Sequence, residues 1–289
     1  MSAGKSNFRS KLRALTDGAV TGLAIVATLL VVAPLVSIFA YVIFKGASSL
    51  DWAFFTQVPK PVGEVGGGMA NAIVGSGVLL GIASAIGVPI GIGGGIYLAE
   101  FGRGTKLANA IRFTADVLNG VPSIVMGIAA YSLIVLPQGH FSAFSGGVAL
   151  GIMMIPTVCR TSEEMLLMVP HAIREAALGL GVPNWRSVLS ITVKTASPGI
   201  ITGCMLAFAR VAGETAPLIF TALGNAFWST NLKQPIAALP LQIYVYALSP
   251  YDDWHRLAWA GALVLIILIV LAVSLVRYVT SRGVLKGAS

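Results

Sequence analysis

The sequence predicts an all-α membrane protein with six transmembrane helices and one short helix at the cytoplasmic surface. The 289 residues are 56% hydrophobic and 10% charged, with a mean hydropathy of +0.86, whereas a soluble domain carries about 25% charged residues. Six apolar runs are long enough to cross a hydrocarbon core, which takes about 20 residues. They lie at 18–44, 70–100, 117–136, 145–169, 196–222 and 257–280.

The first run predicts a retained transmembrane helix after a basic tail at 1–17. Lys5 and Arg9 are among the four basic residues that precede it. A signal-peptide core is about 7–15 residues long, and this run is far longer. The predicted transmembrane domain therefore covers 18–280, followed by a tail at 281–289.

Glycine and proline shape the second and third runs. Gly91-Ile-Gly-Gly-Gly95 lies inside a span and lacks the spacing of a nucleotide-binding loop, so it predicts close helix packing. Pro122 predicts a bend near the start of the third span. Cys159 and Cys204 fall in apolar runs and predict two small buried side chains.

Basic residues predict the orientation, because Lys and Arg favour the cytoplasm in short loops. Both termini, the 101–116 loop and the 170–195 region are basic, and the intervening loops are less so. Both termini are therefore predicted to be cytoplasmic. Aromatic residues in the outer loops, at 45–69 and 223–256, favour an interface belt, with a docking surface for an external protein as the alternative.

The segment 170–182 is too short and too polar to span a bilayer. Its sequence, PHAIREAALGLGV, predicts an amphipathic helix that Gly181 ends. One face would contact the transmembrane domain, and the other would be free for a cytosolic partner. The candidate contact residues are Arg174, Glu175, Ala176, Ala177 and Gly181.

Charged residues inside the predicted spans are costly and normally face a path or a partner. They are Arg160, Glu163 and Glu164 in the fourth span, and Arg210 and Glu214 in the fifth. The spacing predicts that Arg160 reaches Glu163 or Glu164, and that Arg210 shares a helix face with Glu214.

Two interpretations of these charges remain open. They are internal ion pairs that fix helix contacts, or the arginines are stations for an oxyanion, which the fork of a guanidinium suits. Counting residues from the predicted span ends places the two arginines at different depths, about a dozen ångströms apart, which favours two stations.

The pattern around Glu175 resembles the EAA loop of permease subunits in ABC importers, which is E-A-A, three residues, G, nine residues, I-x-L-P. Glu175-Ala176-Ala177, Gly181 and Ile191 fit this pattern, whereas Val193 and Lys194 replace its Leu and Pro. Pro198 is the nearest proline downstream.

Four further blocks resemble the A-type permease subunit of the bacterial phosphate (Pst) ABC importer. They are IYLAEFG (96–102), NGVPSIVMG (119–127), GETAPLIFTA (213–222) and PIAALPLQIY (235–244). The resemblance implies the type I ABC importer permease fold, with a five-helix core and an extra N-terminal helix. It also implies a bacterial inner-membrane location, a second permease subunit (PstC-like), a pair of ATPase subunits (PstB-like) and a periplasmic phosphate-binding protein (PstS-like).

Other function classes fit less well. The sequence contains no G-x-x-x-x-G-K-[ST], so ATP would be bound by the partner ATPase and this chain would hold no cofactor. His140, His171 and His255 are scattered and predict no metal or catalytic set, so we expect no enzyme. The basic residues are dispersed, which argues against nucleic acid. The alternatives are a permease for sulfate or phosphonate, or an ATP-independent secondary anion transporter, although no internal repeat is visible.

Overall fold

The computed structural model describes residues 3–64 and 66–286, and the side chains of residues 13–64 and 66–280. Within those residues the secondary structure is helical, apart from one parallel bridge between Leu223 and Ile236. The prediction of an all-α protein is confirmed. Residues 1–2 and 287–289 of the predicted tails lie outside the described residues.

Eleven helices follow one another in the described part of the chain, when a π-helical turn is counted with the α-helix that it continues. They are α1 Ala3–Ala47, α2 Trp52–Thr56, α3 Ala70–Phe101, α4 Lys106–Gly120, α5 Ser123–Gln138, α6 Ala143–Leu167, α7 His171–Gly179, α8 Asn184–Ala212, α9 Ala216–Thr221, α10 Leu239–Ala247 and α11 Asp252–Lys286.

Five of these helices are long and apolar enough to cross a membrane: α1, α3, α6, α8 and α11. The pair α4 and α5 passes the same test together but is bent by 108°. The described residues thus hold five candidate spans, or six if the bent pair counts as one.

The predicted span at 117–136 is not one continuous helix, because the chain breaks at Val121 and Pro122. Val121 is extended (φ −69°, ψ 132°), as expected for a residue before proline. Pro122 lacks an N–H group and starts a new helix direction. The bend predicted at Pro122 is confirmed and is much larger than a kink.

The helix in the region of the predicted span at 196–222 also has other ends than that prediction. Helix α8 begins at Asn184, with a π-helical turn at Val188–Thr192. It ends at Ala212, followed by Gly213, and Pro217 stands in the first turn of the separate helix α9. Proline in a first helical turn and glycine after a last one are common end signals.

The core lies between α3 and α6, and glycine allows their close approach. A Cβ atom added at Gly91 would lie 2.6 Å from Cβ of Val158, and one at Gly95 would lie 2.5 Å from Cβ of Ser162. The close packing predicted for the Gly91–Gly95 segment is confirmed. Cys159 and Cys204 are buried in the helix packing, as predicted.

Helix α1 contacts the rest of the molecule mainly through α11. The ring of Tyr41 meets that of Trp259 edge-on, with centroids 5.0 Å apart. Val42 is buried, while most apolar side chains between Leu15 and Phe39 are exposed. An apolar helix without protein cover over most of its length suits a lipid environment.

The end of the bundle where α1 finishes and α11 starts also holds α2, α10 and the loop between α9 and α10. The side-chain amide of Asn71 donates to the backbone oxygens of Asn225 (2.8 Å) and Ala226 (3.3 Å). Phe227 and Trp228, in the loop so anchored, are 78% and 55% exposed. Their role as an interface belt or as a docking surface stays a prediction.

Candidate coupling helix and charged cluster

Helix α7 is a short helix with a defined end between α6 and α8. Gly181 adopts φ +79°, which costs little for a residue without a side chain. Its N–H group donates to the oxygen of Leu178 (2.9 Å), and that of Val182 donates to the oxygen of Ala177 (3.2 Å). These two bonds form a Schellman motif, so the prediction that Gly181 ends the helix is confirmed.

The predicted contact residues of α7 lie on different faces. Ala177 is buried at 4% exposure, and the side chain of Arg174 is 11% exposed. Glu175 and Ala176 are exposed. Arg174 and Ala177 therefore hold the helix against its own chain, and Glu175 and Ala176 are available to another molecule.

Large apolar side chains surround the exposed face of α7. Leu178, Leu180, Met168 and Trp185 are 49%, 85%, 74% and 60% exposed. Clustered exposed apolar groups beside polar ones are typical of protein interaction sites. This surface has the chemistry of a protein docking site.

The downstream end of the EAA-like pattern is helical. Ile191, Val193 and Lys194 all lie within α8, and so does Pro198. Lys194 is exposed. Pro198 therefore makes no turn between the loop and the span.

A second group of functional candidates is a four-charge cluster between α4 and α6. Glu163 is 3% exposed and accepts bonds from Nε of Arg112 (2.6 Å) and from Nη1 of Arg160 (2.8 Å). Nε of Arg160 also lies 3.0 Å from Oδ1 of Asp116. We call Arg112, Asp116, Arg160 and Glu163 the charged cluster.

The charged cluster contains two arginines and two carboxylates, so its formal charges cancel. Arg160 is 29% exposed and bridges a buried carboxylate, Glu163, and Asp116, which is 58% exposed. Because Asp116 is largely exposed, its contact is the weaker of the two. An incoming anion could compete with Asp116 for the same guanidinium.

Only one of the two predicted partners of Arg160 pairs with it. Glu163 lies within hydrogen-bond distance, whereas Glu164 is exposed. Glu163 lies three residues after Arg160 and faces α4. The next residue, Glu164, is exposed on the surface of the bundle. The interpretation of internal ion pairs holds for Arg160 and Glu163.

The predicted shared helix face of Arg210 and Glu214 is wrong. Arg210 is exposed in the last turn of α8. Glu214 follows Gly213 in the turn before α9, and its N–H group bonds the oxygen of Val211 (3.1 Å). The i,i+4 rule requires a continuous helix, and this helix has already ended at Ala212.

Sequence reasoning missed Glu100, Arg112 and Asp116. Arg112 was counted only as a loop charge, because α4 was not predicted. Arg112 and Asp116 are four residues apart, so a helix ending at Gly120 would place them on one face. This spacing is the sequence signal that points to them. Glu100 lies within 2.7 Å of Nη2 of Arg174, a contact between distant segments that no local pattern reveals.

The chain matches the family model described as binding-protein-dependent transport system inner membrane component, over residues 91–283. Among solved structures, it is similar to the inward-facing MetNI methionine ABC transporter, with a TM-score of 0.56 and 18% identity. That match covers 75% of this chain and 96% of the other. The type I importer permease fold implied by the resemblance is confirmed.

Relatives of higher identity are phosphate transport system permease proteins. PstA of Yersinia pestis is 48% identical over 238 residues, which are 82% of this chain and 81% of that protein. PstA 1 of Mycobacterium tuberculosis (strain ATCC 25618 / H37Rv) is 38% identical over 76% of this chain and 72% of that protein. The probable PstA of Methanocaldococcus jannaschii is 34% identical over 87% and 89%. The chain therefore belongs to the PstA family of phosphate transport system permease proteins, within the inner membrane components of binding-protein-dependent transport systems.

Proposed function

We propose that this chain is a transmembrane permease subunit of an ATP-driven importer for inorganic phosphate. It forms the translocation path together with a second permease subunit. Membership of the PstA family supports the substrate, because relatives at 48% identity are phosphate permeases. No feature of the described residues favours sulfate, phosphonate or an ATP-independent mechanism over this function.

The observation that carries the proposal is the geometry of α7. The helix ends at Gly181 in a Schellman motif. Arg174 and Ala177 pack against the rest of the chain, and Glu175 and Ala176 are exposed. In the proposed mechanism, the exposed face docks on an ATPase subunit. Changes in that subunit then rock the transmembrane helices between two arrangements.

The substrate path would use the arginines as stations for phosphate. Arg160 and Arg210 are the proposed stations, because guanidinium groups bind oxyanions through paired hydrogen bonds. Glu163, Glu164 and Glu214 are the proposed carboxylates of the path, which limit the net charge when it is empty. At Arg160, phosphate would displace the exposed Asp116 and leave Glu163 in place.

The proposed complex contains a second permease subunit, two ATPase subunits and a periplasmic phosphate-binding protein. ATP and its metal would bind to the ATPase subunits, and this chain would bind no cofactor. The proposed location is the bacterial inner membrane, with both termini in the cytoplasm. The apolar length of α1, α3, α6, α8 and α11 supports a multi-pass arrangement.

The test is uptake of labelled phosphate and labelled sulfate by cells with and without this chain. We expect phosphate uptake to require the chain, and sulfate uptake to be unaffected by it. Sulfate uptake that depends on the chain while phosphate uptake does not would overturn the substrate assignment.

Single variants in the same assay test the stations. Arg160→Gln and Arg210→Gln should each lower phosphate uptake by about tenfold or more, the effect of losing one charge-assisted contact. Arg256→Gln is the matched control, because Arg256 is an exposed arginine of the predicted outer loop. Full uptake in both test variants, at normal membrane levels, would exclude the two-station path.

A further inference from the structure

Helix α7 is attached to its own chain by few side chains. Within His171–Gly179, the residues that are not exposed are Arg174 and Ala177. Ala177 offers one methyl group, so Arg174 provides the long contact from this helix. Helix α7 also packs on the start of α8, and Arg174 provides its side-chain contacts with α3 and α6.

Arg174 reaches the ends of two spans at once. Its Nη2 atom donates to the backbone oxygen of Leu166 in the last turn of α6, at 2.7 Å. The same atom lies 2.7 Å from Oε1 of Glu100 near the end of α3. A cation suits this place, because the carbonyl end of a helix carries partial negative charge.

The ion pair is nearly enclosed by protein. The side chains of Glu100 and Arg174 are 9% and 11% exposed. Charges so placed interact strongly, and removal of one leaves the other buried without compensation. The contact is therefore stiff, unlike an exposed surface pair.

Two atoms of this pair have unmet hydrogen-bonding capacity. Among the described residues, Nε of Arg174 and Oε1 of Glu100 are buried and make no aligned hydrogen bond. Buried polar atoms are normally satisfied, so such exceptions call for an explanation. An arrangement that exchanges partners when α7 moves would explain them.

Glu100 also stands where α3 is joined to the charged cluster. It belongs to the π-helical turn Tyr97–Phe101, a kind of turn that is frequent at functional sites. The oxygen of Leu98 in the same turn accepts a bond from Nη2 of Arg112, at 3.1 Å. Arg112 in turn holds Glu163. Polar contacts thus join α7 to the turn Tyr97–Phe101 and join that turn to the charged cluster, and the backbone of the turn connects Glu100 to Leu98.

We propose that Glu100 and Arg174 are positioning residues that transmit movement of α7 to the end of α3, and through Leu98 and Arg112 to the charged cluster. This inference rests on the proposed function, since it assumes that α7 receives an ATPase subunit. The pair does not contact phosphate. It couples the movement of phosphate to the hydrolysis of ATP.

The test uses the complete complex in lipid vesicles and measures the ratio of phosphate imported to ATP hydrolysed. Glu100→Gln keeps the size of the side chain and removes its charge. We expect this variant to retain the ATPase subunits and at least half of the ATPase turnover, while the ratio falls about tenfold, as for loss of a charged hydrogen bond. The conservative change Glu100→Asp, which keeps the negative charge beside Arg174, should recover a large part of the ratio.

Arg103→Gln is the matched control. Arg103 is exposed, and its Nε atom bonds the oxygen of Ala99 in the same turn (2.8 Å) without an ion pair. The ratio of phosphate imported to ATP hydrolysed by the Arg103→Gln complex should stay within about twofold of that of the unaltered complex.

The possible outcomes separate this inference from the function on which it rests. A Glu100→Gln complex with an unchanged ratio overturns the inference. If Glu100→Gln does not assemble, Glu100→Asp decides: a Glu100→Asp complex that assembles and hydrolyses ATP but stays uncoupled overturns it as well. An unaltered chain that retains no ATPase subunit contradicts the proposed function itself.

Discussion

At the scale of single residues, Glu163 is the acceptor that ties α4 to α6. It receives hydrogen bonds from Arg112 and Arg160 while only 3% of its side chain is exposed. A carboxylate in this position lies between two guanidinium groups and reduces their repulsion at the helix contact. The negative charge of Glu163 therefore stabilises the contact between α4 and α6.

Glu163→Gln should destabilise the folded chain. The change leaves two partly buried arginines without their shared counter-charge, which costs about 2 kcal/mol or more. The measurement is the thermal unfolding of the purified complex in detergent.

Glu164→Gln provides the comparison, since Glu164 is exposed on the neighbouring position of the same helix. Its free energy of unfolding should lie within about 0.5 kcal/mol of that of the unaltered chain. Equal behaviour of the two variants would contradict the assignment of Glu163 as the shared acceptor.

Sequence predicts the charged residues of α6 correctly but not all of their partners. Arg160 and Glu163 are three residues apart, so local spacing is sufficient to pair them. Arg112 and Glu163 are separated by 51 positions. Their contact exists only because α4 turns across α6, and that path depends on the sharp break at Pro122.

At the scale of elements, helix ends decide what each segment can do. Pro122 and Gly213 interrupt two runs that hydropathy alone presents as continuous. Apolar composition predicts where helices lie, but it contains no term for a change of direction. For the same reason, Arg210 and Glu214 were predicted on one helix face, whereas Gly213 separates them.

Gly181 gives α7 its fixed end, and Gly181→Ala should weaken attachment of the ATPase subunits. A residue with a Cβ atom at φ +79° costs about 1 kcal/mol. That cost frays the helix end and should lower the affinity about fivefold. Titration of purified ATPase subunit onto membranes that contain the variant measures the effect.

Gly179→Ala is the matched change two residues earlier. Gly179 is helical, and nothing lies within 4 Å of a Cβ atom added there. Alanine favours a helix by up to about 1 kcal/mol over glycine, so ATPase binding should be retained or improved. If both alanine variants bind alike, the left-handed end of α7 is not needed.

At the scale of the whole molecule, α3 and α6 form a tightly packed centre with smaller attached parts around it. Helix α1 packs on α11 at one side, and α7 joins the ends of α6 and α8 at the other. Within α7, Arg174 and Ala177 are the residues that are not exposed. In the proposed mechanism, the ion pair between Glu100 and Arg174 determines whether α3 follows a movement of α7.

The fold class and the location of α7 could be predicted because each depends on local pattern: apolar length for the spans, and polarity with a terminal glycine for the short helix. The exposed or buried state of each α7 residue could not. The exposure of each residue depends on the contacts of α7 with α3 and α6. One of these contacts joins Arg174 to Glu100, which is far from it in the sequence.

In the proposed function, α7 connects ATP hydrolysis by a partner subunit to phosphate transport through this chain. The most direct measurement is ATP-dependent uptake of labelled phosphate into vesicles containing the complete complex, with Glu175→Arg in this chain. Glu64→Arg is the control, because it reverses an exposed charge in the 45–69 loop. We predict that Glu175→Arg loses ATPase subunits and ATP-dependent uptake while Glu64→Arg keeps both; normal uptake by Glu175→Arg would contradict this role of α7.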